Sequence, residues 1–187
     1  VQSFWTWKLH WQSRNPFPYH LFWWQGVDGS RVLAHIPRLG GGAYNGDPTP
    51  QQLATSWQTY VQKGTYDQQL FPFGYGDGGG GVTEMMMEYA GRAASFPGLP
   101  QCSQGTSEDF FEEVRAAGPD LPTWVGELYL ETRRGTYTSQ ARPKRHNRHC
   151  AMSLPDHGQH LRAAQGHRTA PVVPLGPRLW RVGAPVA

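Results

Sequence analysis

Three parts of the chain have apolar residues at helical spacing, and each part carries the residues that begin and end a helix. The predicted helices follow the N-cap residues Thr49, Thr83 and Thr106, and they end by Gly64, the Pro97-Gly98 pair and Gly118, respectively. Asp109 lies three residues after Thr106, which is an acidic form of the capping box. We therefore expect three amphipathic helices, each with one buried face.

Four shorter segments, residues 20–26, 31–37, 69–76 and 122–131, are rich in aromatic and β-branched residues and are predicted as strands. Asp28-Gly29 between the first two indicates a hairpin. Strands that alternate with amphipathic helices predict an α/β fold with parallel strands, in which binding residues collect at the carboxyl ends of the strands.

Composition and charge narrow the possible classes of protein. No segment of the 187 residues approaches the roughly 20 apolar residues of a membrane span, so no membrane association is predicted. Two cysteines, Cys102 and Cys150, make no disulfide framework, which favours a reducing compartment such as the cytoplasm. Residues 1–131 carry a net charge of −6, and residues 132–187 carry a net charge of +9. The basic part of the chain is compatible with binding to an anionic partner such as nucleic acid.

The last part of the chain has a different character. Residues 151–187 are rich in Pro, Gly, Arg and His and show no sustained period. We expect an unstructured or non-homologous basic tail there, following one domain over residues 1–150. The spacing of four histidines and one cysteine near this region would allow a zinc knuckle; the five residues are His146, His149, Cys150, His157 and His160. Chance clustering is favoured, because Pro155 and Gly158 interrupt any helix there.

A single carboxylate, Asp77, stands before four consecutive glycines. A phosphate-binding loop would need a following Lys-Ser/Thr, which is missing, and a plain connector would not need four residues that are entropically costly to order. The third alternative is a catalytic corner where a substrate approaches the backbone. Apolar surroundings from Phe71, Phe73 and Tyr75 would raise the pKa of the carboxyl and suit it to proton donation.

A second group of polar residues follows the last predicted strand. Residues 127–131 alternate in polarity, and residues 134–139 supply guanidinium and hydroxyl donors, among them Arg134 and Tyr137. Such donors bind polyhydroxylated ligands, although an edge strand followed by a polar loop would have the same composition.

Four blocks of the chain together resemble the catalytic domain of glycoside hydrolase family 38, the α-mannosidases, in its bacterial and cytosolic form. The blocks are FPYHLFWWQGVDGSRVLAHIP, YNGDPTPQQL, PFGYGDGGGG and WVGELYLETRRGTYTSQAR, and they follow in order over residues 1 to about 150. The resemblance implies retaining hydrolysis of terminal α-mannosides by a zinc enzyme. It also implies a β/α barrel, of which this chain would form only a part.

The resemblance also implies roles for individual residues. Asp77 matches the loop of the family's proposed acid/base, Tyr44 and Asn45 match a pair that lines the sugar subsite, and Lys8 matches a basic position near the nucleophile. Arg134 and Tyr137 belong to a block at a strand end. Arg133 departs from the family pattern, which has a histidine there.

The nucleophilic aspartate and the zinc ligands have no match in this chain, so we expect a fragment of the catalytic domain that is inactive alone and holds no metal. A non-catalytic carbohydrate-binding remnant is the alternative. Nucleic-acid binding is not favoured, because much of the positive charge lies in a block that the resemblance already explains.

Overall fold

The computed structural model describes residues 2–12, 14–38, 45–76, 80–153 and 179–185, and the chain divides into two compact units. The first unit is Val1–Leu130 with Pro177–Ala187, and the second is Glu131–Gly176. Within the described ranges, no helix is both long and apolar enough to cross a membrane. The α/β class predicted from the sequence is confirmed.

The first unit holds strands β1 (Ser3–Trp5), β2 (Leu21–Gln25), β3 (Arg31–His35), β4 (Gln68–Pro72), β5 (Pro100–Gly105), β6 (Thr123–Val125) and β7 (Leu179–Pro185), helices α1 (Pro50–Thr59), α2 (Glu84–Ala93) and α3 (Ser107–Ala117), and a 3₁₀ segment, Lys8–His10. The second unit holds a kinked 3₁₀ segment, Glu131–Tyr137, and helix α4 (Ala141–Ser153).

All three predicted helices form, each behind its expected threonine cap. The Thr49 hydroxyl accepts from the amide of Gln52, and the Thr83 hydroxyl accepts from the amide of Met86. Thr106 begins α3 through a reciprocal capping box. Each cap satisfies a backbone donor that the first helical turn leaves without a partner. Helices α1 and α2 end several residues before the glycines expected to stop them.

The strands form two sheets, and only part of the pairing is parallel. The first sheet has the order β1-β3-β2-β6, with β1–β3 and β2–β6 parallel and β2–β3 antiparallel. The second has the order β4-β7-β5 and is antiparallel. The antiparallel pair of the first sheet, β2–β3, is the predicted hairpin. Its turn is held by the Asp28 carboxylate, which accepts from the Ser30 amide at 3.0 Å. The fold is thus mixed α/β, and the described strands do not close into a barrel.

The strand predicted over residues 122–131 is wrong for most of its length. Strand β6 ends at Val125, and Gly126 follows with φ +114°. Leu128 and Leu130 then pack on the core beside Phe17 and Phe22 without pairing to a neighbouring strand. The polar–apolar alternation therefore reflects burial of two leucines in an irregular segment.

The expectation of an unstructured chain beyond residue 150 does not hold for all of it. Residues 151–153 complete α4, and residues 179–185 form β7 between β4 and β5. Residues 154–178, with His157 and His160 of the possible zinc knuckle, lie outside the described residues.

A buried glutamine joins the first sheet to the segment after α1. The Gln62 Oε1 atom accepts from the amides of His20 and Leu21 at 2.7 and 2.6 Å, and its Nε2 donates to the Leu21 carbonyl at 2.7 Å. A buried side chain that uses both ends of its amide fixes its neighbours strongly. The start of β2 is therefore fixed against the chain that leaves α1.

Three histidines, His10, His20 and His35, are buried close to this junction. The rings of His10 and His20 lie edge to face with centroids 4.8 Å apart, and His35 packs edge-on against Phe110. Burial lowers the pKa of His10 to about 4, that of His20 to about 2 and that of His35 to about 3. Like charge from His10 lowers the pKa of His20 and of His35 further. Arg38 has the same effect on the pKa of His10 and of His20. These imidazoles are neutral in the folded protein.

The neutral histidines predict a loss of stability in mild acid. Below about pH 6.5 the unfolded chain takes up protons that the folded chain excludes, so the free energy of unfolding falls as the pH falls. For three groups the slope approaches about 4 kcal/mol per pH unit near pH 5. Urea denaturation at pH 7 and pH 5 measures this effect.

The substitution His35→Leu removes one titrating group while keeping an apolar side chain against Phe110. It is expected to reduce the slope by about 1.4 kcal/mol per pH unit. The exposed His146 on α4 provides the control, since His146→Leu leaves the three buried groups intact. Equal pH dependence in both variants would contradict the assignment.

Candidate functional site

The segment before α1 is bound to the end of β4 through Gly46. The Gly46 amide donates to the Pro72 carbonyl at 3.2 Å, and the Gly74 amide donates to the Gly46 carbonyl at 3.0 Å, forming a parallel bridge with Phe73. A Cβ atom at Gly46 would lie 2.6 Å from the Pro72 carbonyl oxygen and 2.7 Å from the Phe71 ring. Only glycine allows this approach of the two backbones.

The same bridge brings one predicted site residue to the glycine-rich loop. The Asn45 side chain lies so close to Gly76 that a Cβ atom there would collide with Asn45 Oδ1. At the other end of the loop, the Tyr75 amide donates to the Gly81 carbonyl at 2.8 Å, and a Cβ atom at Gly80 would lie 2.8 Å from the Tyr75 Cβ. The glycines therefore serve close packing on both sides of Asp77, which itself lies outside the described residues together with Tyr44.

A cleft of about 500 Å³ lies beside this loop, and we call it the Tyr75 cleft. Its lining comes from the Gly46 segment, the end of β4 and the first turns of α2, and consists of Asp47, Tyr75, Thr83, Glu84, Met85, Met86 and Glu88. Tyr75 is 62% exposed and Met85 is 61% exposed. Two large apolar side chains are thus presented to solvent on the two walls of one cleft.

The cleft also contains a buried acceptor. The Asp47 Oδ1 atom has no hydrogen-bond partner among the described residues. The Asp47 backbone amide, in contrast, donates to Gln52 Oε1 at 3.0 Å. A buried oxygen without a donor is costly, so this atom is a candidate for binding a hydroxyl of a ligand.

The apolar surroundings expected for Asp77 are only partly present. Phe71 and Phe73 are completely buried in the core cluster beneath α1 and α2, where they contribute to packing. Of the three rings, Tyr75 alone lines the cleft. Phe71 and Phe73 are two residues apart on an extended segment and share one face, and that face is covered by α1 and α2.

The remaining predicted site residues lie on other segments. Lys8 is exposed on the 3₁₀ segment that follows the carboxyl end of β1, and its amino group lies 5.8 Å from the ring centroid of Trp11. Arg134 is exposed in the second unit, on the kinked segment Glu131–Tyr137. Tyr137 ends that segment, and its side chain is outside the described part of the structure.

The described residues do not supply a metal site. No group of three or more His, Cys, Asp or Glu side chains within them could hold an ion. The buried histidines come closest, but His10 Nε2 already bonds to the Ile36 carbonyl and His20 Nδ1 accepts from the Val61 amide at 3.4 Å. These two ring nitrogens are engaged in holding the fold. His10 Nδ1 and both ring nitrogens of His35 are buried without a hydrogen-bond partner among the described residues, but the three histidines are not grouped so that they could hold an ion.

Sequence reasoning missed Asp47, Met85 and the cleft they share. In the sequence, Asp47-Pro48-Thr49-Pro50 indicates only the start of a helix, and Met85 follows the helical period as a core residue. The one signal for the cleft in the sequence was Tyr75. It stands between Gly74 and Gly76, outside any regular apolar pattern, so its ring need not belong to the core.

Comparison with known proteins identifies relatives of most of the chain. The family model described as Glycosyl hydrolases family 38 N-terminal domain matches residues 1–127. Alpha-mannosidase 2C1 of Homo sapiens is 38% identical over 156 residues, which are 83% of this chain and 15% of that protein. Alpha-mannosidase G of Dictyostelium discoideum is 38% identical over 82% of this chain and 14% of its own length. Alpha-mannosidase of Saccharomyces cerevisiae is 37% identical over 83% of this chain and 15% of its own length. The chain thus spans about one seventh of these relatives.

The geometry of the Gly46 bridge predicts a large effect from a single methyl group. Gly46→Ala forces the Gly46 segment away from the end of β4, because the Cβ atom would meet backbone and a buried ring. We expect the free energy of unfolding to fall by about 1–3 kcal/mol, as in other overpacked sites. Urea denaturation at neutral pH is the measurement.

The matched control for this variant is Gly91→Ala on α2, where a Cβ atom meets nothing within 4 Å. There the methyl group is expected to stabilise the helix by about 0.5–1 kcal/mol. If Gly46→Ala were as stable as Gly91→Ala, the close approach of the two backbones would be disproved.

Proposed function

Because this chain belongs to glycosyl hydrolase family 38, we propose that it forms part of an α-mannosidase that hydrolyses terminal α-mannosides with retention of configuration. The family match over residues 1–127 supports the glycosidase class. Three relatives from different organisms are named as α-mannosidases, which supports the mannoside substrate. The activity concerns a complete protein, since the relatives are several times longer than this chain.

In this proposal Asp77 is the acid/base residue. A retaining glycosidase uses one carboxylate as the nucleophile and a second carboxyl group as the proton donor. Asp77 would donate a proton to the leaving oxygen as the glycosidic bond breaks, and it would then take a proton from the water that attacks the glycosyl-enzyme intermediate. The observation that carries the assignment is the contact between Asn45 and Gly76, which brings two predicted parts of the sugar site together at the residue before Asp77.

The other predicted residues act on the mannose ring. Tyr44 and Asn45 would bind its hydroxyls from one side of the loop, and Lys8 would lie near the nucleophile, which is supplied by residues other than those of this chain. Arg134 and Tyr137 would contribute donors for the sugar hydroxyls in the complete protein. The zinc ion expected for the family would likewise be held by ligands that this chain does not supply.

The complete domain would add the strands that turn this mixed sheet into part of a β/α barrel. Residues 151–187 would be a tail without counterpart in the family, and the protein would reside in the cytoplasm. The 187 residues by themselves would lack hydrolase activity, because without the nucleophile no glycosyl-enzyme intermediate forms.

The isolated chain is expected to release no p-nitrophenol from p-nitrophenyl α-mannoside above the buffer blank, with or without added zinc. Release in proportion to the amount of protein, and unaffected by further purification, would refute the proposed division of the active site. Binding of mannose without turnover in every context would instead support a carbohydrate-binding remnant.

The role of Asp77 is tested by placing residues 1–127 in the corresponding segment of the Saccharomyces cerevisiae relative. Asp77→Asn is expected to lower hydrolysis of α-linked mannobiose by about 10²–10⁴-fold. It should affect p-nitrophenyl α-mannoside much less, because that leaving group needs little protonation.

Asp67→Asn is the control for the chimera. Asp67 is an exposed carboxylate that accepts from the Gly64 amide in the turn before β4, whereas the glycine loop follows β4, and its variant should keep both activities. Equal losses on the two substrates for Asp77→Asn would exclude a proton donor, and a folded chimera with no activity would contradict the proposed function itself.

A further inference from the structure

We propose that the Tyr75 cleft binds the leaving-group sugar of a neutral mannoside, with Tyr75 as the stacking surface and Asp47 as the hydroxyl acceptor. This inference rests on the proposed function, because it assigns the partner that leaves when the bond to mannose is cleaved. It concerns residues that neither the sequence pattern nor the resemblance had connected with the substrate.

The position of the cleft relative to the loop supports the assignment. A general acid must reach the oxygen that links the mannose to its leaving group, so the leaving group lies on the surface beside the acid. Tyr75 precedes Asp77 by two residues, and its amide is fixed to Gly81 across the loop at 2.8 Å. The ring of Tyr75 therefore lines the cleft from a position two residues before the predicted proton donor in the chain.

The walls of the cleft suit the two faces of a sugar ring. A sugar has an apolar C–H face that packs on aromatic and thioether groups, and the exposed side chains of Tyr75 and Met85 provide both. A volume of about 500 Å³ lies in the usual range for small-ligand sites. Met86 also borders the cleft, but it is 4% exposed and packs in the core, so Met85 offers most of the methionine surface to a ligand.

The polar groups of the cleft restrict the chemistry of the ligand. Asp47 Oδ1 lacks a donor among the described residues, and a sugar hydroxyl would supply one. Glu84 and Glu88 line the same cleft, and of these Glu88 is paired with Arg92 one turn later on α2. Carboxylates on several sides repel a negatively charged ligand. The cleft thus favours neutral sugars over phosphorylated ones.

Methyl NMR of the 187-residue chain tests this directly, because three adjacent methionines report on different surroundings. With the methionine methyl groups labelled with ¹³C, α-linked mannobiose is expected to shift the Met85 signal in a saturable way. The Met87 signal should stay in place, since Met87 packs on the core cluster. Mannose 6-phosphate should shift Met85 much less than mannose does at the same concentration.

Variants separate the contributions of the two walls. Tyr75→Ala is expected to weaken binding of mannobiose by about 2–10-fold, the loss of about one aromatic contact, while Tyr75→Phe keeps it. Asp47→Ala is expected to weaken it by about 10-fold. The control is Phe96→Ala, which removes an equally exposed ring (54%) outside the cleft and should change nothing.

Three results would overturn the assignment. They are a Met85 signal that does not move with mannobiose, a shift that survives Tyr75→Ala unchanged, and an equal shift with mannose 6-phosphate. None of these depends on hydrolysis, so the Asp77→Asn experiment would still decide the proposed function. Conversely, a failure of Asp77→Asn to affect mannobiose hydrolysis would leave a binding result in this cleft intact.

Discussion

The candidate site depends on the contact of Gly46 with the end of β4. Two backbone hydrogen bonds, to Pro72 and from Gly74, hold a segment without regular structure against a strand that continues into the glycine loop. The backbones can approach because Gly46 has no side chain, and the ring of Phe71 fills the space that a Cβ atom would need. Asn45 and Asp47 flank this point, so their positions follow from it.

The wall formed by α2 depends on a second local constraint. Thr83 caps the helix through the Met86 amide at 3.2 Å, which fixes where the first turn begins. The helical period then places Met86 in the core and Met85 at the surface. A shift of the start by one residue would turn the helix by about 100° and move Met86 out of its place in the core, so one threonine helps to determine which side chains line the cleft. The apolar core and the ligand-facing surface are thus products of the same helix register.

The buried histidines limit the pH range in which the fold is stable. His10, His20 and His35 are packed as neutral rings, and Gln62 satisfies the backbone of His20 and Leu21. A buried neutral imidazole is stable at neutral pH. At lower pH the unfolded chain binds a proton that the buried ring excludes, so folding becomes less favourable. The first sheet is therefore expected to respond to acid before the carboxylates on the surface do.

Much of this architecture could be predicted from residues with a single strong role. Thr49, Thr83 and Thr106 indicated the three helices, and Asp28-Gly29 indicated the hairpin, because caps and tight turns depend on local chemistry. The segment around Leu128 misled, since alternation arises from burial as well as from strand pairing. The role of Asp47 and Met85 in the cleft could not be predicted, because the cleft forms only where Gly46, β4 and α2 come together in space. Local sequence patterns carry no information about such long-range contacts.

Amide hydrogen exchange at Gly74 tests the central constraint most directly. This amide lies beyond the last residue of β4, and its only described acceptor is the carbonyl of Gly46. If the bridge exists in solution, the Gly74 amide will exchange as slowly as the amides of Leu70 and Phe71 inside the strand. Exchange at the rate of an open loop, while those two amides stay protected, would show that the Gly46 segment is not bound to β4 and that the cleft is not formed as described.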